Sequence, residues 1–244
     1  MIKLSFSKGN AKLGSHIYTF SLPAGHTCIG AKDCLAKANR ETGKLTHGKG
    51  AQFQCFAATA ENMFPNVRKS RWNNFEALKG LSVAQMVKSI ADSMPKKAVY
   101  FRIHVSGDFF NLNYFDAWME IARANPAKQF YCYTKAIPFW IARKDSIPEN
   151  FVLNASIGSR YDDLITQYNL KCARVVFSES EAANLGLQID HDDSLALAKN
   201  GKSFALLLHG SQQAGTVAAK ANYALRKAGK NGYKSDYFAH YSKS

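Results

Sequence analysis

No apolar run in the chain approaches the roughly 18 residues that a bilayer-crossing helix needs, which excludes a transmembrane helix from the sequence reading. The opening residues, Met1 to Lys8, lack the apolar stretch of a secretory signal, so the expectation is a cytoplasmic protein. There is no internal repeat and no low-complexity tract. Acidic residues are scarce: 18 Asp and Glu stand against 32 Lys and Arg, a formal charge of +14. Cysteine occurs five times, and an odd count without a secretion signal argues against a disulfide framework. Metal binding or buried thiols are the remaining readings.

What is present suits an ordinary globular core. Of 244 residues, 46% are apolar and 20% charged, which excludes disorder and collagen-like repeats. The length fits one domain spanning 1–244, with a cysteine-bearing loop insertion at 26–60 and a basic tail at 229–244. The positive excess attracts polyanions, and the expected partner is nucleic acid, DNA in particular.

The apolar pattern switches repeatedly between period 2 and period 3.6. His16 to Leu22, Ala98 to Val105, Gln129 to Thr134, Phe151 to Ile157, Ala173 to Ser178 and Phe204 to Leu208 read as strands. Between them Ser70 to Leu78, Val83 to Met94, Tyr114 to Ala124, Ile137 to Lys144, Asp162 to Tyr168, Ser180 to Asn184 and Thr216 to Ala228 read as helices. This alternation predicts an α/β fold, a full or partial (β/α) TIM-like barrel, with a doubly wound open sheet as the alternative. In either case ligands sit beyond the C-terminal ends of the strands. That rule selects Pro23 to Cys34, Ser106 to Phe110, Thr134 and Lys135, Ser156 to Arg160, Ser178 to Ser180, and His209 to Gly215.

Within those segments the strongest constellation is Cys28, Cys34 and Cys55, spaced C-x5-C-x20-C after the first strand. Three thiolates hold zinc or an iron–sulfur cluster and leave one coordination position open, with His26 and His47 as nearby candidates for it. Cys132 and Cys172 read as buried apolar residues. Next comes Arg102 to Phe110, a strand running into Ser106-Gly107-Asp108. Gly107 permits close backbone approach, and Asp108 is a candidate base, nucleophile, amine acceptor or helix cap. His209 to Thr216 is a small-residue turn before a helix, suited to an anion or to a plain connection. Tyr131, Tyr133 and Lys135 share a strand face, as base-stacking and phosphate groups or as packing. Arg68-Lys69-Ser70-Arg71-Trp72 and Lys220, Arg226, Lys227, Lys230 and Lys234 form basic clusters.

Several of these stretches carry a family resemblance. Ser21 to Cys28, Gly30 to Cys34, Gln54 to Ala58, Val67 to Trp72, Arg102 to Phe110 and Tyr131 to Lys135 together resemble the phage gene-product-88 family over roughly residues 15–215. Two remoter likenesses carry chemistry. Ser106-Gly107-Asp108-Phe109 is similar to a Ser-Gly-Gly-Phe segment of barrel enzymes that exchange guanine for a deazaguanine base and hold zinc. The cysteines after the first strand, with Ser106-Gly107-Asp108 after the second, are similar to radical S-adenosylmethionine enzymes. The first resemblance implies a DNA-modifying transglycosylase that inserts 7-deazaguanine. Its catalytic residues would be Asp108, His104 and Lys135. Ser106, Gly107, Phe109, Tyr133, Ser156, Arg160, Glu179, His209 and Gln212 would contact nucleic acid or a modified guanine, and Cys28, Cys34, Cys55 and His26 would bind zinc. The second implies a four-iron cluster with S-adenosylmethionine on the same cysteines. A non-enzymatic nucleic-acid-binding protein is the third expectation.

Overall fold

A computed structural model describes residues 3–9 and 16–230. The expected basic tail therefore lies almost wholly outside the described residues, as does Lys234. Among the described residues no helix is long and apolar enough to cross a membrane.

The chain opens with strands β1 (Phe6–Lys8) and β2 (Ile17–Phe20), followed by a small hairpin of β3 (Ala36–Ala38) and β4 (Leu45–His47). Helices α1 (Phe56–Met63), α2 (Pro65–Leu78) and α3 (Val83–Ser93) come next. Strand and helix then alternate: β5 (Tyr100–Ile103), α4 (Leu112–Arg123), β6 (Gln129–Thr134), α5 (Ile137–Arg143), β7 (Phe151–Ser156), α6 (Asp162–Gln167), β8 (Cys172–Val176) and α7 (Glu179–Asn184). A short β9 (Gln188–Ile189) and α8 (Ser194–Leu197) precede β10 (Phe204–Leu207) and α9 (Val217–Lys227).

One eight-stranded sheet runs in the order β1-β2-β5-β6-β7-β8-β10-β9. Only β1 is antiparallel to its neighbour; the other pairings are parallel. From β2 to β10 six strands lie side by side in chain order, with no reversal of the kind that makes a switch point in a doubly wound sheet. The architecture is mixed α/β with a mostly parallel sheet. β1 and β9 are its two ends, and no pairing closes it among the described residues.

Residues in register across a parallel sheet share a face, and the two faces are covered differently. Phe20, Phe101, Ile103, Phe130, Phe151 and Leu153 pack against Met86 and Ile90 of α3 and Phe115 and Trp118 of α4. Farther along that face Ala155 meets Ile137 of α5 and Ile165 of α6, and Val176 and Ala205 meet α7 and α9. The opposite face carries Ile17, Tyr131, Val152, Ala173 and Phe204, closed over by Ala196 and its flanking leucines on α8. The 26–60 insertion is more structured than a loop: it contains the β3–β4 hairpin and the first turns of α1.

Candidate functional site

The C-terminal ends of the parallel strands are roofed by the long crossover between β2 and α1. Each contact follows from a small residue or a free backbone group. Leu22 N donates to Ser106 O at 2.9 Å, joining the loops after β2 and β5. Gly107 turns with φ +79°, and a β-carbon there would fall 2.6 Å from Thr27 Oγ1, so only glycine lets the two loops touch. Thr27 Oγ1 in turn accepts from Asp108 N at 3.2 Å. Gly30 lies so close to the end of β6 that a β-carbon would sit 2.0 Å from Lys135 O. Lys32 N and Asp33 N donate to Gly158 O, and Arg160 N donates to Gly30 O, which fixes the roof to the end of β7. Beyond the hairpin, Gln54 N donates to Gln212 Oε1 at 2.8 Å, so the same crossover reaches the loop after β10.

This roof brings the three cysteines into one electrostatic neighbourhood. Cys28 Sγ accepts from Gly25 N at 3.2 Å. Gln52 N and Phe53 N donate to Asp33 O, folding the approach to Cys55 back beside Cys34. Burial pushes the Cys28 thiol well above its usual range, and Asp108, Cys55 and Cys34 push the same way. Cys55 rises to about 11 through burial and Cys34, against the N–H groups of Ala58 and Ala57 at the start of α1 and the charge of Arg71. Cys28, Cys34 and Cys55 are half-buried free thiols. Among the described residues no group of three or more His, Cys, Asp or Glu side chains is arranged to hold a metal ion. Cys132 is fully buried in the core, as its strand position predicts.

Asp108 is 3% exposed. Its Oδ1 accepts from Thr134 Oγ1 at 2.7 Å and from Phe109 N at 2.8 Å, and its Oδ2 accepts from Lys135 N at 2.7 Å. Burial lifts its pKa to about 6 in spite of those three donors. The capping role weighed from sequence is corrected: Asn111 caps α4, accepting from Tyr114 N at 2.8 Å. Lys135 Nζ is committed to Ser156 Oγ at 2.6 Å and to the carbonyls of Ser156 and Ile157. His104 stands in the left-handed region at φ 66°, buried, with Nε2 3.1 Å from Tyr114 Oη. Burial drops its pKa to about 3, which keeps the ring neutral.

Glu61 binds these segments together. Its Oε1 accepts from Ala24 N at 2.8 Å, Arg71 Nη1 at 2.9 Å and Ser106 Oγ at 3.1 Å. The cysteine loop, α1, α2 and the Asp108 loop thus share one buried carboxylate. Sequence reading picked out Arg71 only as part of a basic cluster and missed Glu61, which falls just past the 26–60 segment read as a loop. The available signal was a lone acid in the run Phe56-Ala57-Ala58-Thr59-Ala60-Glu61 of an acid-poor chain.

Other expected site residues are placed differently. His26 is engaged with other groups, its Nε2 3.0 Å from Ala38 O and its ring against Trp72. His47 Nε2 is 2.9 Å from Gln54 Oε1 at the surface. Phe109 is fully buried against His104 and Phe115, so it has no surface to offer a base. Tyr133 donates to Asp193 Oδ1 at 3.2 Å and lies under the Arg102 guanidinium, a packing role shared with Tyr131. Glu179 pairs with Lys230. His209 meets the Phe56 ring at a tilt beside the roof, and Arg160 is exposed at its rim. Arg68 and Arg71 are buried scaffold cations: Arg68 Nε donates to Arg40 O at 2.9 Å, and Arg71 holds Glu61.

Fold and site together define an α/β protein with a clustered-thiol roof over the C-terminal edge of a parallel sheet. The chain belongs to the Gene product 88 family, which matches residues 4–229. Over 90 residues it is 30% identical to the Gene 88 protein of Mycobacterium phage L5, a stretch covering 33% of this chain and 38% of that relative. No solved structure matches.

Proposed function

We propose that the protein is an enzyme in which Cys28, Cys34 and Cys55 hold a four-iron cluster that works with S-adenosylmethionine, on a partial (β/α) barrel, with nucleic acid as the substrate class. The observation that carries this is the crossover after β2. It gathers three thiols, and no histidine, beside a buried carboxylate that follows the second parallel strand. Six strands in chain order with their long helices on one face support a barrel-type winding.

Three thiols without a histidine among their described neighbours are a donor set that a cluster takes. Zinc draws its ligands to about 2.3 Å from one point, whereas an iron–sulfur cluster spreads its thiolates over separate irons. The thiols influence one another electrostatically. When bound, the group supplies one-electron chemistry on S-adenosylmethionine. The protein's own residues do the rest. The three thiols lose their protons on loading, helped at Cys55 by the α1 N–H groups and Arg71. Asp108, fixed by Thr134 and Lys135, would offer the acceptor site left on Oδ2 to a ligand amine near Cys28. Glu61 keeps the three segments in register. The positive charge supports a polyanionic substrate.

The base-exchange reading, guanine to 7-deazaguanine in DNA with a structural zinc, shares the charge argument. It asks Asp108 to attack a sugar carbon, although three protein donors already hold that side chain. The geometry favours anchoring over attack.

Anaerobic loading with iron and sulfide should give a brown protein with about four irons per chain. Each of Cys28→Ala, Cys34→Ala and Cys55→Ala should lose the colour, whereas Cys172→Ala should keep it. Loaded protein should cleave S-adenosylmethionine reductively. A colourless chain that takes up one zinc would return the base-exchange reading to the front, and a chain that takes up neither metal would remove both.

A further inference from the structure

A cavity of about 400 Å³ opens between the β1–β2 edge of the sheet and α2. Five hydroxyls line it: Ser5, Ser7, Thr19, Ser21 and Ser70. Asn66 and Asn74 add amides, and Lys8 and Arg71 add two cations. The lining contains no carboxylate and no aromatic ring; Val67 and Val105 are its apolar members.

That chemistry narrows the ligand. The volume is within the usual range for a small-molecule site, but the aromatic side chains common in such sites are missing. Without a ring there is no stacking platform for a base. Serine, threonine and asparagine side chains with Arg and Lys are the groups that contact phosphate and sugar oxygens. Arg71 is held in advance: its Nη1 donates to Ala57 O at 2.8 Å and to Glu61 Oε1 at 2.9 Å. A guanidinium fixed in this way loses little freedom when it meets an anion. Glu61 offsets part of its charge, which leaves Lys8 as the cation without a carboxylate in the lining. Arg71 also acts on Cys55, so the cavity lies one side chain from the thiols.

We propose that this cavity binds the sugar–phosphate portion of a nucleotide, free or within a strand, with Lys8 and Arg71 on the phosphate and the serine hydroxyls on the sugar. The proposal goes beyond the cluster assignment and shares only Arg71 with it.

The test titrates the metal-free full chain with dGMP, deoxyguanosine, inorganic phosphate and a short single-stranded oligodeoxynucleotide. dGMP should bind more tightly than either of its parts. Lys8→Glu, on the exposed β1 edge, should weaken it by about tenfold or more, the size of one lost charge-assisted contact. Ser70→Trp should fill the cavity and abolish binding, with circular dichroism confirming the fold. If the oligonucleotide displaces dGMP and shows the same dependence on Lys8 and Ser70, the source is a strand; if dGMP alone shows it, the source is a free nucleotide. The idea is overturned if neither nucleotide probe binds, if both variants bind as the natural chain does, or if inorganic phosphate matches dGMP. Lys8→Glu should load iron normally, so failure here and failure of the cluster assignment are separable.

Discussion

Asp193 and Asp108 are both buried beside strands β5 and β6, yet they are held in opposite ways. Asp193 lies over one face of those strands, in the left-handed region at φ 66°. Its Oδ2 accepts from Arg102 Nη1 at 2.7 Å and Tyr131 Oη at 2.9 Å, and its Oδ1 accepts from Tyr133 Oη at 3.2 Å. Asp108 lies at the ends of the same strands, and a hydroxyl and two amides, no cation, donate to it. The nearby ammonium of Lys135 is spent on Ser156 and Ile157. A buried carboxylate facing a guanidinium is a brace. One held by neutral donors sits near pH 6 and responds to any charge placed beside it. The contrast separates scaffold from site more clearly than residue type does.

The comparison breaks most visibly if Asp193 proves dispensable. Asp193→Ala takes away the carboxylate that the buried Arg102 and two tyrosines share, and should cost about 3–5 kcal/mol in denaturant unfolding, the usual penalty for breaking a buried pair. Asp108 should instead show itself through pH. Its folded pKa, about 6, lies above the unfolded value near 3.8, so the folded state binds the extra proton between them. Stability from this group is full below pH 4, falls as pH rises, and levels off above pH 6, a loss of at most about 3 kcal/mol. Asp108→Asn should remove that slope from metal-free protein. His104 works the other way. Its folded pKa of about 3 lies below the unfolded 6.5, so stability is lost as pH falls below 6.5. At pH 5 the loss should be on the order of 2 kcal/mol. His104→Asn, a residue that tolerates the left-handed backbone, should flatten this acid limb. If Asp108→Asn keeps the natural pH profile, the contrast between the two carboxylates fails. The smallest effect belongs to the surface: Glu179→Gln breaks an exposed pair with Lys230 and should change stability by less than about 1 kcal/mol.

Periodicity made the regular elements readable. Val83, Met86, Val87 and Ile90 marked α3, and Gln129 to Thr134 coincided with β6, because apolar side chains recur where one face is buried. The elements that escaped are short or locally unpatterned. β1 and β9 have three and two residues, and α1 opens on Cys55 with no side-chain cap. The β3–β4 hairpin carries alanines, lysine and threonine that read as loop. For the site, Cys28, Cys34, Cys55 and Asp108 were legible because a thiol trio and a strand-end carboxylate are rare enough to notice. Phe109 is buried, His26 is engaged with Ala38 and Trp72, and Tyr133 takes the packing role of its two readings, since strand-end position says which residues lie near the edge but not which way each side chain turns.

Composition and pattern alone determined that this chain is basic, carries no apolar run of the length a bilayer-crossing helix needs, and alternates strands with helices, because net charge and hydrophobic period are sums over residues that do not depend on neighbours far away in the chain. The tertiary structure decided how 22–56 crosses the sheet edge, which acids meet a guanidinium and which meet only neutral donors, and that Glu61 ties two loops and α2 together. Those outcomes depend on contacts such as Gly30 against Lys135 and Gly107 against Thr27. There one missing β-carbon lets segments distant in the chain touch, and no local pattern records the partner.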